Sequence, residues 1–183
     1  TKRVDRTKKT MLHMEDMCQL SERLTEDKYK GSHEQVAKLI MKYSVNPLLD
    51  VTNFYELVIF SYLTGNADMH LKNFSLLENP SLNGFILSPA YDLLATALVN
   101  PNDTEEQALT LNGKKRNLQY TDFRKAFETS GLNQRVLDTM LRNFSTCIPY
   151  MKHKINESFL SDDFKKLYIE MINNRANKLI SVK

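Results

Sequence analysis

Gly65-Asn66-Ala67-Asp68-Met69-His70-Leu71-Lys72-Asn73, followed after a gap by Leu87-Ser88-Pro89-Ala90-Tyr91-Asp92, decides how this chain is read. Within six residues the first stretch sets a carboxylate, an imidazole, an ammonium and an amide, directly after an apolar segment of helical character. The second stretch brings another carboxylate to the end of an apolar run. Two acids and an Asn in that order suit a magnesium-nucleotide site, where a divalent cation takes oxygen ligands and keeps several waters.

The frame around this cluster is that of an ordinary globular unit. A chain of 183 residues with 42% hydrophobic and 26% charged residues can build one core, as one domain or one lobe of a larger protein. The formal net charge is +3 and no dense basic stripe with interleaved aromatics stands out, which argues neither for nor against nucleic-acid binding. Lys2, Arg3, Arg6, Lys8 and Lys9 are interrupted by Asp5 and read as a solvated edge. The longest apolar run, Leu57 to Phe60, is far too short to span a membrane, and no signal-peptide pattern is present. Cys18 and Cys147, with no CxxC, argue against zinc and against a disulfide framework, and fit a reducing cytoplasm. The chain opens on Thr1 among charged residues, which leads us to expect a fragment.

Helical periodicity dominates. Met14, Met17, Cys18, Ser21 and Leu24 predict a first helix, and Val36, Leu39, Ile40 and Tyr43 a second, capped by Ser32 and ending before Asn46-Pro47. A third, capped by Asp50 or Thr52, is apolar nearly all round and stops at Gly65, a residue suited to a left-handed cap. Residues 73–77 and 85–87 read as two strands joined by a turn, and Asn112-Gly113 as a tight hairpin turn. Val136, Met140, Phe144 and Ile148, then Phe164, Leu167, Tyr168, Met171 and Ile172, predict two C-terminal helices. Met11, Met14, Met17, Met41 and Met69 are assigned to packing, and residues 103–106 to a solvated loop. The expected fold is mainly α with a small β element that carries the polar cluster. The five glycines form no GxGxxG or GxxxxGK loop, so any phosphate-covering loop lies outside this chain.

Asp68 and Asn73 stand five apart in D-x-x-x-x-N. In phosphoryl transfer that spacing lets the Asp take or orient the proton of an attacking hydroxyl while the Asn reaches magnesium. Asp92 would supply the second metal ligand, Lys72 would neutralise phosphoryl charge, and His70 would hold the loop or touch the phosphates. Each residue also has a plain alternative. His70 can be a packing or capping residue, Lys72 a solvated one, and Tyr91-Asp92 a helix start. Glu15 and Asp16 support the site through hydrogen bonds or simply favour a helix N-terminus. It is the conjunction of the two strings that is specific.

That conjunction resembles the C-terminal lobe of HipA-type serine/threonine kinases, the toxins of bacterial HipA–HipB toxin–antitoxin pairs. The family's G-x-x-D-x-H-x-K-N-x-S falls on Gly65, Asp68, His70, Lys72, Asn73 and Ser75, and its L-[TSA]-P-x-Y-D on Leu87, Ser88, Pro89, Tyr91 and Asp92. Arg3-Val4-Asp5-Arg6 resembles R-F-D-R, and His13, Glu15, Asp16 and Gln19 match H-x-E-D-x-x-Q. The similarity runs to about Val99. The D-x-H-x-x-N core is also similar to phosphatidylinositol kinases, which share the protein-kinase-like fold.

The resemblance implies a kinase-like C-terminal lobe over residues 1–183, with the N-lobe expected to precede Thr1. It implies Asp68 as catalytic base, with Asn73 and Asp92 holding Mg2+. His70, Leu71, Lys72, Asn73, Tyr91 and Asp92 would then line the ATP site, and Lys2, Arg3 and Val4 would fall at the hinge beside the adenine. Val4 replaces the usual aromatic and Lys2 a frequent acid, which weakens the adenine contact. The implied activity is ATP-dependent phosphorylation of a protein Ser or Thr, such as on a translation factor or aminoacyl-tRNA synthetase, with a HipB-like DNA-binding antitoxin as partner and nucleic acid met only through it. The isolated lobe is expected to bind nucleotide poorly. The alternatives are a non-catalytic module that docks an antitoxin or another subunit, and a lipid or small-molecule kinase lobe.

Overall fold

The structure is a computed structural model that describes residues 3–6, 10–100 and 102–180; Lys2, Lys8 and Lys9 lie outside them. A three-stranded antiparallel sheet sits against a helical body. The sheet is ordered β1-β2-β3, with β1 at Met14–Asp16, β2 at Ser75–Asn79 and β3 at Gly84–Leu87. Met14, Glu15 and Asp16 face Leu77, Leu76 and Ser75, while Leu76 to Asn79 face Leu87 to Gly84.

Strand β1 corrects the helix expected through Met14–Leu24. Asp16 has extended backbone and accepts the Gln19 amide, while the Gln19 side chain caps the Asp16 N–H, so the helix begins only after it. That helix, α1, is Met17–Leu20, a short element followed by a 3-10 turn at Thr25–Asp27 that leaves Leu24 exposed. A three-residue strand has too little periodicity to compete with a helical pattern, and only pairing with β2 creates it.

Helix α2, His33–Tyr43, is capped as read, with Ser32 and Gln35 forming a capping box. Helix α3, Pro47–Thr64, starts earlier than read, with Asn46 at the N-cap and Pro47 in its first turn. Asp50 does not cap it: its buried carboxylate accepts the Ser44 hydroxyl and the Leu87 N–H, tying α3 to β3. Val51, Phe54, Tyr55, Val58, Ile59, Tyr62 and Leu63 are fully buried, so α3 runs through the centre of the core.

Around α3 pack α5, Tyr120–Thr129, α6, Gln134–Asn156, and α7, Asp162–Ile180, with the short α4, Thr96–Val99, near the site. Asn112 and Gly113 both have positive φ between the bridged Leu111 and Lys114, the expected two-residue hairpin. On α7 the buried residues are Ile172, Arg175, Ala176 and Leu179, while Phe164 and Leu167 are exposed. Met17 and Met69 are buried, but Met11 and Met41 are exposed. Glu105 and Glu106 are not a free loop either: they pair with Lys115 and Lys178, and Glu106 accepts the Leu118 N–H. No helix among the described residues is long and apolar enough to cross a membrane.

Candidate active site

Helix α3 delivers the chain to the polar cluster and stops abruptly. Gly65 takes φ 81°, and the amides of Gly65 and Asn66 turn back onto the Tyr62 and Ser61 carbonyls. A side chain at Gly65 would be strained in that conformation and would collide with the tip of Met171. From α7, the buried Arg175 guanidinium donates to the Tyr62 carbonyl and lies over the Tyr62 ring at 5.2 Å. A cation at the C-terminal end of a helix is also favourably placed in the helix field.

Residues 66–73 are then held almost entirely by their own backbone and buried amides. The Asp68 carbonyl accepts from the His70 N–H at 2.8 Å and from Asn73 Nδ2 at 3.1 Å. Asn66, itself buried, takes the Asp68 N–H on Oδ1 and donates from Nδ2 to the Asp92 carbonyl at 3.3 Å. Thr96 Oγ1 accepts the Ala67 N–H at 2.9 Å, and the Ala97 N–H donates to the Gly65 carbonyl at 3.0 Å. Residues 92–97 are thereby laced to residues 65–67, which brings the second acid to the first. Beneath the loop Leu71 and Phe74 are buried in the core, with Leu71 directed at Gly31.

Asp68 is half-buried and presents its carboxylate at a cleft of about 390 Å³ lined also by Tyr29, Ala67, Thr96, Ala97 and Ala108. Asn73 is buried; with its nitrogen given to the Asp68 carbonyl, its Oδ1 is the atom left for a ligand. Asp92 is exposed, in left-handed backbone at φ 56°, and forms no ion pair among the described residues. An amide oxygen and an unpaired carboxylate are hard oxygen donors, and such a pair fits magnesium with its waters. No group of three or more His, Cys, Asp and Glu suited to a metal occurs among the described residues.

His70 binds these parts electrostatically. Burial holds its pKa below the ordinary value, Lys28 adds to that, and Asp68, its own backbone and Asp92 pull the other way. Both acids therefore act on one imidazole, which stays neutral near pH 7 and packs edge-on against Tyr29 at 5.1 Å. Lys72 is half-buried and pairs with Asp16 at 2.8 Å, and that hydrogen bond raises its pKa. Tyr91 donates to the Lys72 carbonyl at 2.9 Å and meets the Ser75 hydroxyl at 2.6 Å, and burial pushes its phenol up to about 12. Arg3 pairs with Asp5, Val4 is exposed, and among the described residues no hydrogen bond or ion pair joins either to residues 65–73; Lys2 lies outside those residues.

Three contributors were not singled out from the sequence. Tyr29 donates to Asp68 Oδ1 at 2.9 Å, and Asn66 and Thr96 lace the two acidic loops together. Lys28-Tyr29 lies in irregular backbone between two capped helices, where periodicity gives no signal. Asp16 meets both expectations for it, capping the N-terminus of α1 and accepting a hydrogen bond from Lys72.

Known proteins are similar to this chain in sequence and in structure. A family model described as the HipA-like C-terminal domain matches residues 1–150, and the chain belongs to that family. Similar relatives carry the name putative kinase. Y4dM of Sinorhizobium fredii is 41% identical over 96 residues, 52% of this chain and 23% of that protein. One from Haemophilus influenzae is 32% identical over 121 residues, 58% of this chain and 35% of that protein. The chain thus spans about a quarter to a third of the length of the curated relatives it matches. Among solved structures, HipA of Shewanella oneidensis, in complex with HipB and its operator DNA, superposes with a TM-score of 0.76 at 20% identity, over 93% of this chain and 44% of that one. The Helicobacter pylori proinflammatory kinase CtkA matches with a TM-score of 0.57 at 17% identity, over 94% of this chain and 67% of that one. These likenesses establish a kinase-like C-lobe fold.

Proposed function

We propose that this member of the HipA-like C-terminal domain family is the catalytic C-lobe of a serine/threonine protein kinase, transferring the γ-phosphoryl group of ATP in a magnesium-dependent reaction. The observation that carries this reading is the lacing of two loops. Asn66 and Thr96 hold residues 92–97 against residues 65–67, so that Asp68, the Asn73 amide oxygen and Asp92 come from one joined frame.

Asp68 is suited to take the proton of an acceptor hydroxyl as that oxygen bonds to the γ-phosphorus and the bond to the bridging oxygen of ADP breaks. Asn73 and Asp92 are the residues that would hold the cation. When bound, magnesium supplies charge neutralisation on the phosphates. Neutral His70 lends the loop packing rather than charge, and Lys72, fixed by Asp16, lies beside the loop as a positive group. The rest of the nucleotide site, including any loop over the phosphates, would come from chain outside this lobe or from a partner.

The likeness to a HipA held with HipB and operator DNA supports a HipB-like antitoxin as partner and a toxin–antitoxin role; a translation factor or aminoacyl-tRNA synthetase is the class of target that the family resemblance implies. The test is titration calorimetry with ATP and magnesium, paired with a phosphoryl-transfer assay, on the full-length protein and its Asp68→Asn and Asp92→Asn variants. Transfer should require both acids. Retained transfer in Asp68→Asn would sink the reading, and micromolar ATP binding by the 183-residue chain alone would remove the need for a second lobe.

A further inference from the structure

Asp68 has one side-chain partner whose role the motif does not explain. Tyr29 donates its hydroxyl to Asp68 Oδ1 at 2.9 Å. The same residue stacks edge-on against His70 at 5.1 Å, and its neighbour Lys28 accepts the Leu71 N–H on its carbonyl at 3.1 Å. Lys28 Nζ lies over the Tyr29 ring at 5.0 Å. Residues 28–29 are therefore docked on the catalytic loop by backbone, ring and hydroxyl together.

We infer that Tyr29 is a positioning residue for Asp68 and forms one wall of the acceptor site, which is the cleft that the two residues share with Ala67, Thr96, Ala97 and Ala108. This rests on the phosphoryl-transfer reading above. A carboxylate has two acceptor oxygens. Tyr29 occupies Oδ1 and fixes the rotation of the group, which leaves Oδ2 for the proton of an incoming hydroxyl. A base works only within hydrogen-bond reach of the proton it takes, and small misplacements of reacting groups are costly. Ala67, Ala97 and Ala108 leave room for an aliphatic hydroxyl carried on a peptide, in a cleft that Asp103 and Glu105 also line. A tyrosine that merely plugged the acceptor position would need a loose attachment in order to leave; three separate contacts hold this one.

The experiment uses the full-length protein with MgATP, scoring transfer both to a Ser/Thr peptide library and to water. Tyr29→Phe keeps the ring against His70 and removes only the hydroxyl. Its kcat should fall about tenfold while the KM for ATP stays within about twofold, because Tyr29 holds the base and not the nucleotide. Tyr29→Ala should lose at least as much. If Tyr29→Phe matches or exceeds the wild type while Asp68→Asn is inactive, the positioning role is wrong; a rate above wild type would make Tyr29 a plug, and an unchanged rate with loss only in Tyr29→Ala would make it a packing residue. If Asp68→Asn keeps full transfer, or the wild type transfers to neither acceptor, the phosphoryl-transfer reading falls first and takes this one with it.

Discussion

Asp68 and Asp92 both act on the His70 imidazole, yet they stand on loops of opposite construction. Residues 65–73 are nearly all buried, begin at a left-handed glycine and close on themselves through the Asp68 carbonyl, Asn66 and Asn73. Residues 89–95 are mostly exposed, contain no regular element, and are held at a few points: Tyr91 on Ser75 and Lys72, and Asn66 on the Asp92 carbonyl. The difference teaches a division of labour. A base must be held in place before the reaction, whereas a metal ligand gains its final geometry with the ion and tolerates a looser support.

The largest effect that separates the two loops is catalytic. Asp68→Asn in the full-length protein should cost on the order of 10²- to 10⁴-fold in kcat, the usual scale for a general base. Asp92→Asn should instead raise the magnesium concentration needed for half-maximal rate, with recovery at high metal. Steady-state kinetics across a magnesium series checks both. Identical behaviour of the two variants would erase the division.

The next effect tests whether the fixed loop owes its rigidity to the core beneath it. His33 is wholly buried, and among the described residues neither ring nitrogen meets a partner in full hydrogen-bond geometry; its ring lies 5.9 Å from Phe54 and 6.2 Å from Phe74, the residue that follows Asn73. Burial pushes its pKa down from 6.5 to about 4, against a small opposing pull from Gln107. The unfolded chain therefore takes a proton near pH 6.5 that the folded one refuses until about pH 4. Stability from this group is complete above pH 6.5 and drains away as the pH falls to 4, by about 3 kcal/mol in all. Denaturant melts of wild type and His33→Gln between pH 7 and 4 should show a steeper acid loss in the wild type by roughly that amount. Parallel curves would remove His33 from the account.

A smaller change strikes the fixed loop at its origin. Gly65→Ala puts a Cβ into left-handed backbone and against the tip of Met171. Left-handed strain costs about 1–2 kcal/mol and the flexible Met171 can absorb much of the contact, so a loss of about 2 kcal/mol is expected, or roughly 4–8 °C in Tm. The same calorimetry on Asp92→Gly, which relieves a left-handed residue in the open loop, should show little change or a slight gain. Equal and opposite shifts would mean the two loops are held alike.

Much of the fixed loop was legible in sequence and little of the open one's support was. Gly65 announced its left-handed cap because an apolar helix ended on it, and Asp68, Asn73 and Asp92 stood out through spacing and string identity. Helix α2 and its Ser32 box were equally clear, since cap chemistry is local. Strand β1 was hidden because three residues carry no period and exist as a strand only through pairing with β2, some sixty positions away. The start of α3 was misplaced for a related reason: Asp50 looks like a cap until β3 offers it the Leu87 amide. Tyr29 and Thr96 were invisible because their partners lie 39 and 29 residues distant, and a single hydroxyl in irregular backbone leaves no pattern.

The smallest expected effect bears most directly on how the open loop stays in place at all. Tyr91 gives its proton to the Lys72 carbonyl and meets the Ser75 hydroxyl, so one phenol spans from residues 89–95 to the end of the catalytic loop and the start of β2. Tyr91→Phe keeps the ring and deletes both bonds. A hydrogen bond of this kind is worth about 1 kcal/mol net, and leaving the partly buried Lys72 carbonyl without its donor costs about as much again, so the variant should lose about 1–2 kcal/mol. The loss should not be spread evenly. Amide hydrogen exchange should quicken around residues 91–95 while the amides of His70 and Asn73, which donate to carbonyls inside their own loop, keep their protection. If exchange rises equally in both stretches, Tyr91 is holding the catalytic loop as well as the metal-ligand loop, and the two supports are one structure rather than two.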